Sequence, residues 1–556
     1  MSEPVDRINP KCSRFNSMDI PLLSSPDSCG PPPLTWRDLL PVPGYVAPKT
    51  LVTLKSLLAD RALTAKRPRQ QPPSLIFRLP AEMLAEIFVE ATAGDQEALS
   101  TFFPMHFHLV LSHVCGLWRA VALHTPSLWC RVTLHLGGRT SGFGGIKSLA
   151  QACFKRSCEL PLALVVTSSV ATASILPNFC MDLVLPVRHR IRHLDLSLAA
   201  IFTESIFKLP KNSLKVLRTL SISALISDDQ GPWFRAMSGL EGAPLLESVK
   251  LRCVQAATGR LAERHQGMRF DPYLARLPWD RLLELHLEDL EIRDDDAIYA
   301  LGETTSLVHC SLDLRIMLPL APVIPFTNMP APVDLPPPKR KPVTLPALRI
   351  FELVVSGHDG PHVTEFFDRL VLPSLKELSI KYKDRQTLPC GTLTALQTRS
   401  SFSLERLLVG NRLGDSILPF LESNPLLRCL QLLMCSLELA PLAAALTLAS
   451  GHASAGLLPR LCTLTLADRW LDGPAAVWAG ATTALLKMVR SRRHGGVPQL
   501  DEFVFGAQRP LSAKKAARLE HWRAEGLRVR TVTILPERRI AHLMRTDYIQ
   551  MILFEG

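Results

Sequence analysis

One six-residue pattern, apolar at its first, fourth and sixth positions, returns eleven times between Ile191 and Phe505. It reads IRHLDL from Ile191, LRTLSI from Leu217, LESVKL from Leu246, LLELHL from Leu282, LVHCSL from Leu307 and LRIFEL from Leu348. It continues as LKELSI from Leu375, LERLLV from Leu404, LRCLQL from Leu427, LCTLTL from Leu461 and LDEFVF from Leu500. Copies start 23 to 41 residues apart. Two apolar residues separated by one other residue share a face of a strand, because side chains alternate with period two. A strand this short cannot bury that face alone, so neighbouring units must stack and share one core. The expected fold class is α/β, an irregular solenoid of strands and returning helices over residues 131–556.

The segments between copies suit the return path. DDAIYALGETTS after Arg293, EFFDRLVLPS after Thr364, ILPFLESNP after Ser416 and AAVWAGATTALLKMVRSRRHGG after Pro474 carry helix-spaced apolar residues and end in breakers. The spacing is similar to that of leucine-rich repeats. One insertion interrupts the series. Residues 318–346 hold ten prolines and a KRK triplet, a composition that joins neither a helix nor a central strand. They are expected to form a disordered loop, with PPPKRKP also readable as a nuclear signal. RVTLHL from Arg131, the strand ending KRSCELPLALVV and the closing LRVRTVTIL read as further strands, with helices at 146–157 and 513–525. The tail to Gly556 is apolar enough to dock.

Upstream, residues 1–48 are rich in Pro and Ser and read as a flexible leader. Residues 50–63 have a helical apolar period, and a basic linker spans 64–76. Residues 77–130 then hold two amphipathic helices. Apolar residues at Leu79, Met83, Leu84, Ile87, Phe88 and Ala91 mark the first, with Pro80 in its first turn. Val110, Val114, Leu117, Trp118 and Val121 mark the second, before a stop at Thr125-Pro126. Neither stands alone in water. They must pack on each other or on a partner.

These residues resemble an F-box of the kind found in large fungal families. Leu79-Pro80, the helix from Glu82 to Phe88, Leu111, Val114-Cys115, Trp118-Arg119, Pro126 and Leu128-Trp129 carry the likeness, which covers about a tenth of the chain. The spacer from Gly94 to His108 is longer than a compact F-box needs. The resemblance implies an all-helical module that docks on the Skp-type adaptor subunit of a cullin-RING ubiquitin ligase, while the repeats choose a protein substrate. Carried over residue by residue, the adaptor contacts are Leu79, Pro80, Leu84, Ile87 and Phe88. Val114 and Trp118 pack behind or beside them. Each also has a core-only reading.

No chemistry of its own is expected of the chain. The 13 cysteines form no CxxC pair and read as reduced intracellular thiols. His106, His108 and His113 lack HExxH spacing, and adjacent Asp294, Asp295 and Asp296 suit a helix start better than a cation. Neither a metal site nor a cofactor is expected. GHASAG at Gly451 lacks the GxSxG spacing of a nucleophile elbow. The net charge of +12 is dispersed, and the basic clusters at 188–193 and 490–494 lack interleaved aromatics, so they read as solvated helix ends and nucleic acid is disfavoured. With no signal-like or membrane-spanning window, cytoplasm or nucleus is the expected location.

The strand face opposite the leucines is the remaining candidate surface. Its early units offer His193, Asp195, Thr219, Ser221, Ser248, Lys250, Glu284 and His286. Later units offer Ile350, Val354, Leu408, Cys429, Leu433 and Val504. A change from charged to apolar along the array would mark a binding site, so Val354, Leu408, Leu433 and Val504 are the candidate substrate contacts, with burial by the tail as the competing reading. Two other functions stay open: a leucine-rich scaffold whose helices only cap the array, and a nucleic-acid-associated factor.

Overall fold

The computed structural model describes residues 75–93, 107–136, 143–168, 176–199, 209–226, 240, 242–255, 270–275, 277–315, 342–356, 361–382, 387–410, 413, 416–433, 439–448, 456–467, 475–494, 500–507 and 511–533. The leader, the 50–63 helix, most of the basic linker, of the 94–108 spacer and of GHASAG, and the tail lie outside them. The chain divides into two compact units, Met1–Leu79 and Pro80–Gly556. Of the first, the described part is a single 3-10 turn, Leu75–Arg78, closed by the Leu79 amide on the Ile76 carbonyl.

The second unit is α/β, built on a fourteen-stranded parallel sheet. Its strands are β1 (Arg131–Leu136), β2 (Leu162–Ser168), β3 (Ile191–Ala199), β4 (Thr219–Ile226), β5 (Ser248–Gln255), β6 (Glu284–Arg293) and β7 (His309–Arg315). After the two-residue β8 (Val343–Thr344) come β9 (Ile350–Ser356) and, past the equally short β10 (Leu370–Val371), β11 (Glu377–Tyr382). The array ends with β12 (Arg406–Gly410), β13 (Cys429–Leu433), β14 (Thr463–Ala467), β15 (Glu502–Ala507) and β16 (Arg528–Thr533). Strand order in the sheet follows chain order, leaving out β8 and β10, which pair with each other. All eleven patterned segments became strands of this sheet. Three more, β1, β2 and β16, extend it at its ends.

Register explains why the pattern is so regular. One unbroken row of facing residues runs Val132, Leu164, Leu194, Leu220, Val249, Leu285, Cys310, Phe351, Leu378, Leu407, Leu430, Leu464, Phe503, Val529, and every member is at most 5% exposed. The sixth pattern positions make a second row, from Leu134 to Phe505, equally buried. The first positions, from Ile191 to Leu500, are buried as well. They close the turn into each strand, where each next unit's amide bonds back to the preceding unit, as Lys376 and Glu377 do to the Arg349 carbonyl. A leucine at all three positions therefore fills the core from a strand and its entry turn together.

Helices return between the strands, at Phe143–Arg156, Leu176–Val187, Pro272–Ala275, Asp294–Glu303, Pro361–Asp368, Cys390–Ser400, Leu418–Glu422, Leu439–Leu446, Ala475–His494 and Ala513–Ala524. The three aspartates start one of them, Asp294–Glu303, where carboxylates suit the positive end of the helix dipole. The expected Pro-rich loop ends earlier than 346: Val343–Thr344 pairs with Leu370–Val371, and Leu345 is buried. Two residues are too few to show a period, so the composition of the preceding prolines hid them.

The basic clusters are corrected too. Arg190 and Arg492 are not solvated; both are buried. Arg492 donates from Nε, Nη1 and Nη2 to the carbonyls of Leu446, Leu458 and Leu457 at 2.9, 2.9 and 2.6 Å. Arg190 donates to Leu160 O at 3.1 and 2.8 Å and to Ser157 Oγ at 2.7 Å. Irregular turns leave carbonyls without ladder partners, and a planar fork of donors satisfies several at once. Burial lowers the Arg492 pKa to about 10, leaving it a cation at neutral pH. Asn424 does the same between units, taking the Leu404 amide at 3.1 Å and donating to Phe420 O at 2.8 Å and Gln397 Oε1 at 3.0 Å.

Candidate functional site

Three short helices precede the sheet within the second unit: α1 (Ala81–Ala93), α2 (Phe107–Ser112) and α3 (Gly116–His124). Cys115 caps α3, its sulfur accepting from the Trp118 amide at 3.5 Å. Leu84, Phe88, Leu111, Val121 and Ala122 are buried between the helices, and the Phe88 and Trp118 rings meet at 4.9 Å. Pro126–Trp129 forms a 3-10 turn that delivers Trp129 fully buried. Its Nε1 donates to Ala122 O at 2.8 Å, His108 packs on its ring at 4.5 Å, and the Arg156 guanidinium lies 4.4 Å from it. The end of the long spacer is thus anchored through His108. That anchor joins the three helices to the first return helix of the array.

The interior uses only part of the apolar surface these helices carry. Met83, Ile87, Val110, Val114 and Leu117 are 41% to 55% exposed. They are five of the eleven large apolar side chains exposed among the described residues; the other six lie along the array, where Tyr273 and Tyr299 stack at 4.1 Å. Met83 and Ile87 lie one turn apart on α1; Val110 is on α2, Val114 in the turn that follows it and Leu117 on α3.

The expected adaptor contacts therefore divide. Leu84 and Phe88 lie in the interior, Trp118 is half-buried against Phe88, and Pro80, Ile87 and Val114 are exposed. Leu79, half-buried, belongs to the other unit. Of the two residues expected behind or beside the contacts, Val114 is exposed and Trp118 half-buried. Met83, Val110 and Leu117, which the family motif does not single out, join Val114. The helical period named these residues as apolar. It could not rank them by exposure, because each helix has more apolar positions than one packed face needs.

The second candidate surface is the outward face of the sheet. One outward row runs Arg131, Ala163, His193, Thr219, Ser248, Glu284, His309, Ile350, Glu377, Arg406, Cys429, Thr463, Glu502, Arg528. The expected drift to apolar character does not occur: Leu408 faces Ser379 and Gln431, and Val504 faces Thr465 and Arg530. Val354 and Leu408 are half-buried, while Leu433 and Val504 are buried. These four do not make an open apolar surface. What distinguishes the face is instead its middle. There β6 inserts Glu288, Asp289 and Leu290 between Leu287, which faces Leu312, and Glu291, which faces Asp313. Asp289 takes a left-handed φ of 52°. Glu288 is held by Lys250 at 2.9 Å and Arg252 at 3.7 Å, and His286 meets His309 at 4.4 Å edge to face.

Among the described residues no group of three or more His, Cys, Asp or Glu could hold a metal. Burial pushes the Cys153 thiol up to about 11, away from the range of a nucleophile. No described helix is long and apolar enough to cross a membrane. The chain matches no protein-family model and no curated protein.

Proposed function

We propose that this chain is a substrate-recruiting adaptor of a Skp/cullin/F-box ubiquitin ligase: an F-box-like helical module followed by an irregular leucine-rich repeat solenoid, without catalysis of its own. The observation that supports it most is the set of five exposed apolar side chains on α1 to α3, in the segment whose residues resemble the motif. The module would dock on the Skp-type subunit through Pro80, Met83, Ile87, Val110, Val114 and Leu117. Leu84 and Phe88 would hold the helices in shape. The sheet's outward face would take a protein substrate, and proximity to a charged conjugating enzyme would supply the reaction.

Co-expression of the full chain with a Skp-type subunit tests this. The two are expected to co-purify, and Ile87→Asp combined with Val114→Asp is expected to abolish the complex at unchanged urea midpoint. Failure of the unaltered chain to capture the subunit would end the reading. Leu84→Asp is the wrong probe, because a buried charge unfolds the module whatever it binds. The anchoring of Trp129 favours a second reading, a scaffold whose helices only cap the array, since a solenoid end needs covering. It expects no capture, and loss of array stability in Trp129→Ala.

A further inference from the structure

The outward face is open along most of the array and closed near its end. The fifth pattern position is half-buried or exposed in every unit from Asp195 on β3 to Gln431 on β13, and it is buried at Thr465 on β14 and Val504 on β15. Beside them Leu433, at the end of β13, is 5% exposed, and Gly506 on β15 is buried. These positions alternate with the leucines, so the leucine core does not cover them. Parallel strands in chain order are joined by crossovers of one hand, which puts the return helices on the leucine side of the sheet. The connections after β13, β14 and β15, at 434–438, 468–474 and 508–512, have lengths ordinary for a turn from strand to helix. The cover over Leu433, Thr465 and Val504 comes from a longer segment.

We infer that this cover is the chain's own segment 548–554, docked across the outward face of β13, β14 and β15. Residues 534–556 follow β16, the strand next to β15, and lie outside the described residues. Return from β16 to β13 crosses three strand spacings, about 14 Å, whereas 534–547 reach up to about 45 Å when extended. The sequence YIQMILF at 548–554 has a single polar residue, Gln550. An extended chain places Ile549, Met551 and Leu553 on one side, an apolar complement to Leu433 and Val504. Beside Leu433 in its row, Ala467 and Gly506 carry little or no side chain, which leaves depth for an incoming apolar residue. With the segment in place, the face left to another protein runs from β3 to β11, where Lys250 and Glu352 are exposed. The inference does not rest on the ligase reading; within that reading it assigns the substrate to the polar stretch.

Photo-crosslinking identifies the occupant. Full-length chain carrying p-benzoylphenylalanine in place of Gln431, half-buried and facing Thr465, is irradiated as an equal mixture of light and heavy-nitrogen protein, and the joined peptides are identified by mass spectrometry. Cross-links to 548–554 within one chain are expected. Cross-links to 434–438, 468–474 or 508–512 in their place, cross-links only between light and heavy chains, or none at all would overturn the inference. A second measurement uses Gln431→Cys in the full-length chain. Adding Ile549→Ser, Met551→Ser and Leu553→Ser is expected to speed iodoacetamide alkylation at position 431 at least tenfold, whereas Cys462, at the entry to β14, reacts at an unchanged rate. An unchanged rate at position 431, or an equal rise at Cys462, would overturn the inference as well. Because no Skp-type subunit is involved, a negative result here leaves the ligase reading standing, and loss of adaptor capture leaves this docking intact.

Discussion

The sheet and the three helices before it are both rich in apolar residues, and they dispose of them in opposite ways. In the sheet, the first, fourth and sixth pattern positions are buried from end to end, because each unit's open side is filled by the next. In the helices, Leu84 and Phe88 are buried, while Ile87 and Val114, identical in kind, are exposed. A repeat can extend until its core is closed by another copy of itself. Three short helices have no such copy, and their surplus apolar side chains stay exposed. The comparison separates apolar residues that hold the fold from those available to a partner.

The largest effects should fall inside the array. Leu430→Ala is expected to cost about 3 kcal/mol, because close neighbours on both sides in its row prevent the cavity from collapsing. Arg492→Ala should cost a similar amount, ~3 kcal/mol, by leaving the Leu446, Leu457 and Leu458 carbonyls without donors. Arg490→Ala, an exposed neighbour in the same basic cluster, should change stability by less than about 0.5 kcal/mol. Urea denaturation of the three variants decides it. Equal effects of Arg490 and Arg492 would mean that the guanidinium clamp holds nothing.

That contrast also shows what a sequence can carry. The strands were legible because burial in a stacked sheet imposes period two, and LLELHL or LCTLTL states that period openly. Arg492 was not, because an arginine satisfying turn carbonyls leaves no periodic trace and sits between Ser491 and Arg493 like any basic cluster. The β6 insertion was harder to read: LHLEDLEI breaks its alternation only at the Glu288-Asp289 doublet, and pairing with β7 is needed to place the extra residues. On the outward face, the apolar candidates Leu433 and Val504 were misleading because strand alternation gives direction and not accessibility. The exposed helical residues were named correctly as apolar, yet their accessibility needed the packed helices to be seen.

A smaller effect should come from the histidines of the outward face. Burial lowers the pKa of His286, with His309 and Lys250 adding to the shift and Glu284 and Glu288 opposing it. His193 is lowered by burial and by Arg192, Arg131 and Arg218, against Glu247. A folded pKa below the unfolded value means the unfolded chain binds more protons, so stability is full above pH 6.5 and falls as pH drops through the folded pKa. Asp195, raised by burial, works in the other direction near pH 4. The urea midpoint should therefore fall between pH 7 and pH 5, and His286→Gln should flatten that slope. An unchanged slope would assign the acid sensitivity elsewhere.

The smallest effect on stability carries the most weight for function. Ile87→Ser and Val114→Ser remove apolar area that water already reaches, so each should shift unfolding by less than about 0.5 kcal/mol. Leu84→Ser, one turn from Ile87 on the inner side, should cost at least ~2 kcal/mol through a cavity and a buried hydroxyl. If Ile87→Ser instead destabilised as strongly as Leu84→Ser, its side chain would be part of the fold and the difference between sheet and helices would vanish. If it leaves stability unchanged but abolishes capture of the Skp-type subunit, the surplus belongs to the partner. The pair of measurements separates packing from docking at a single turn of α1, where sequence alone gives both residues the same apolar character.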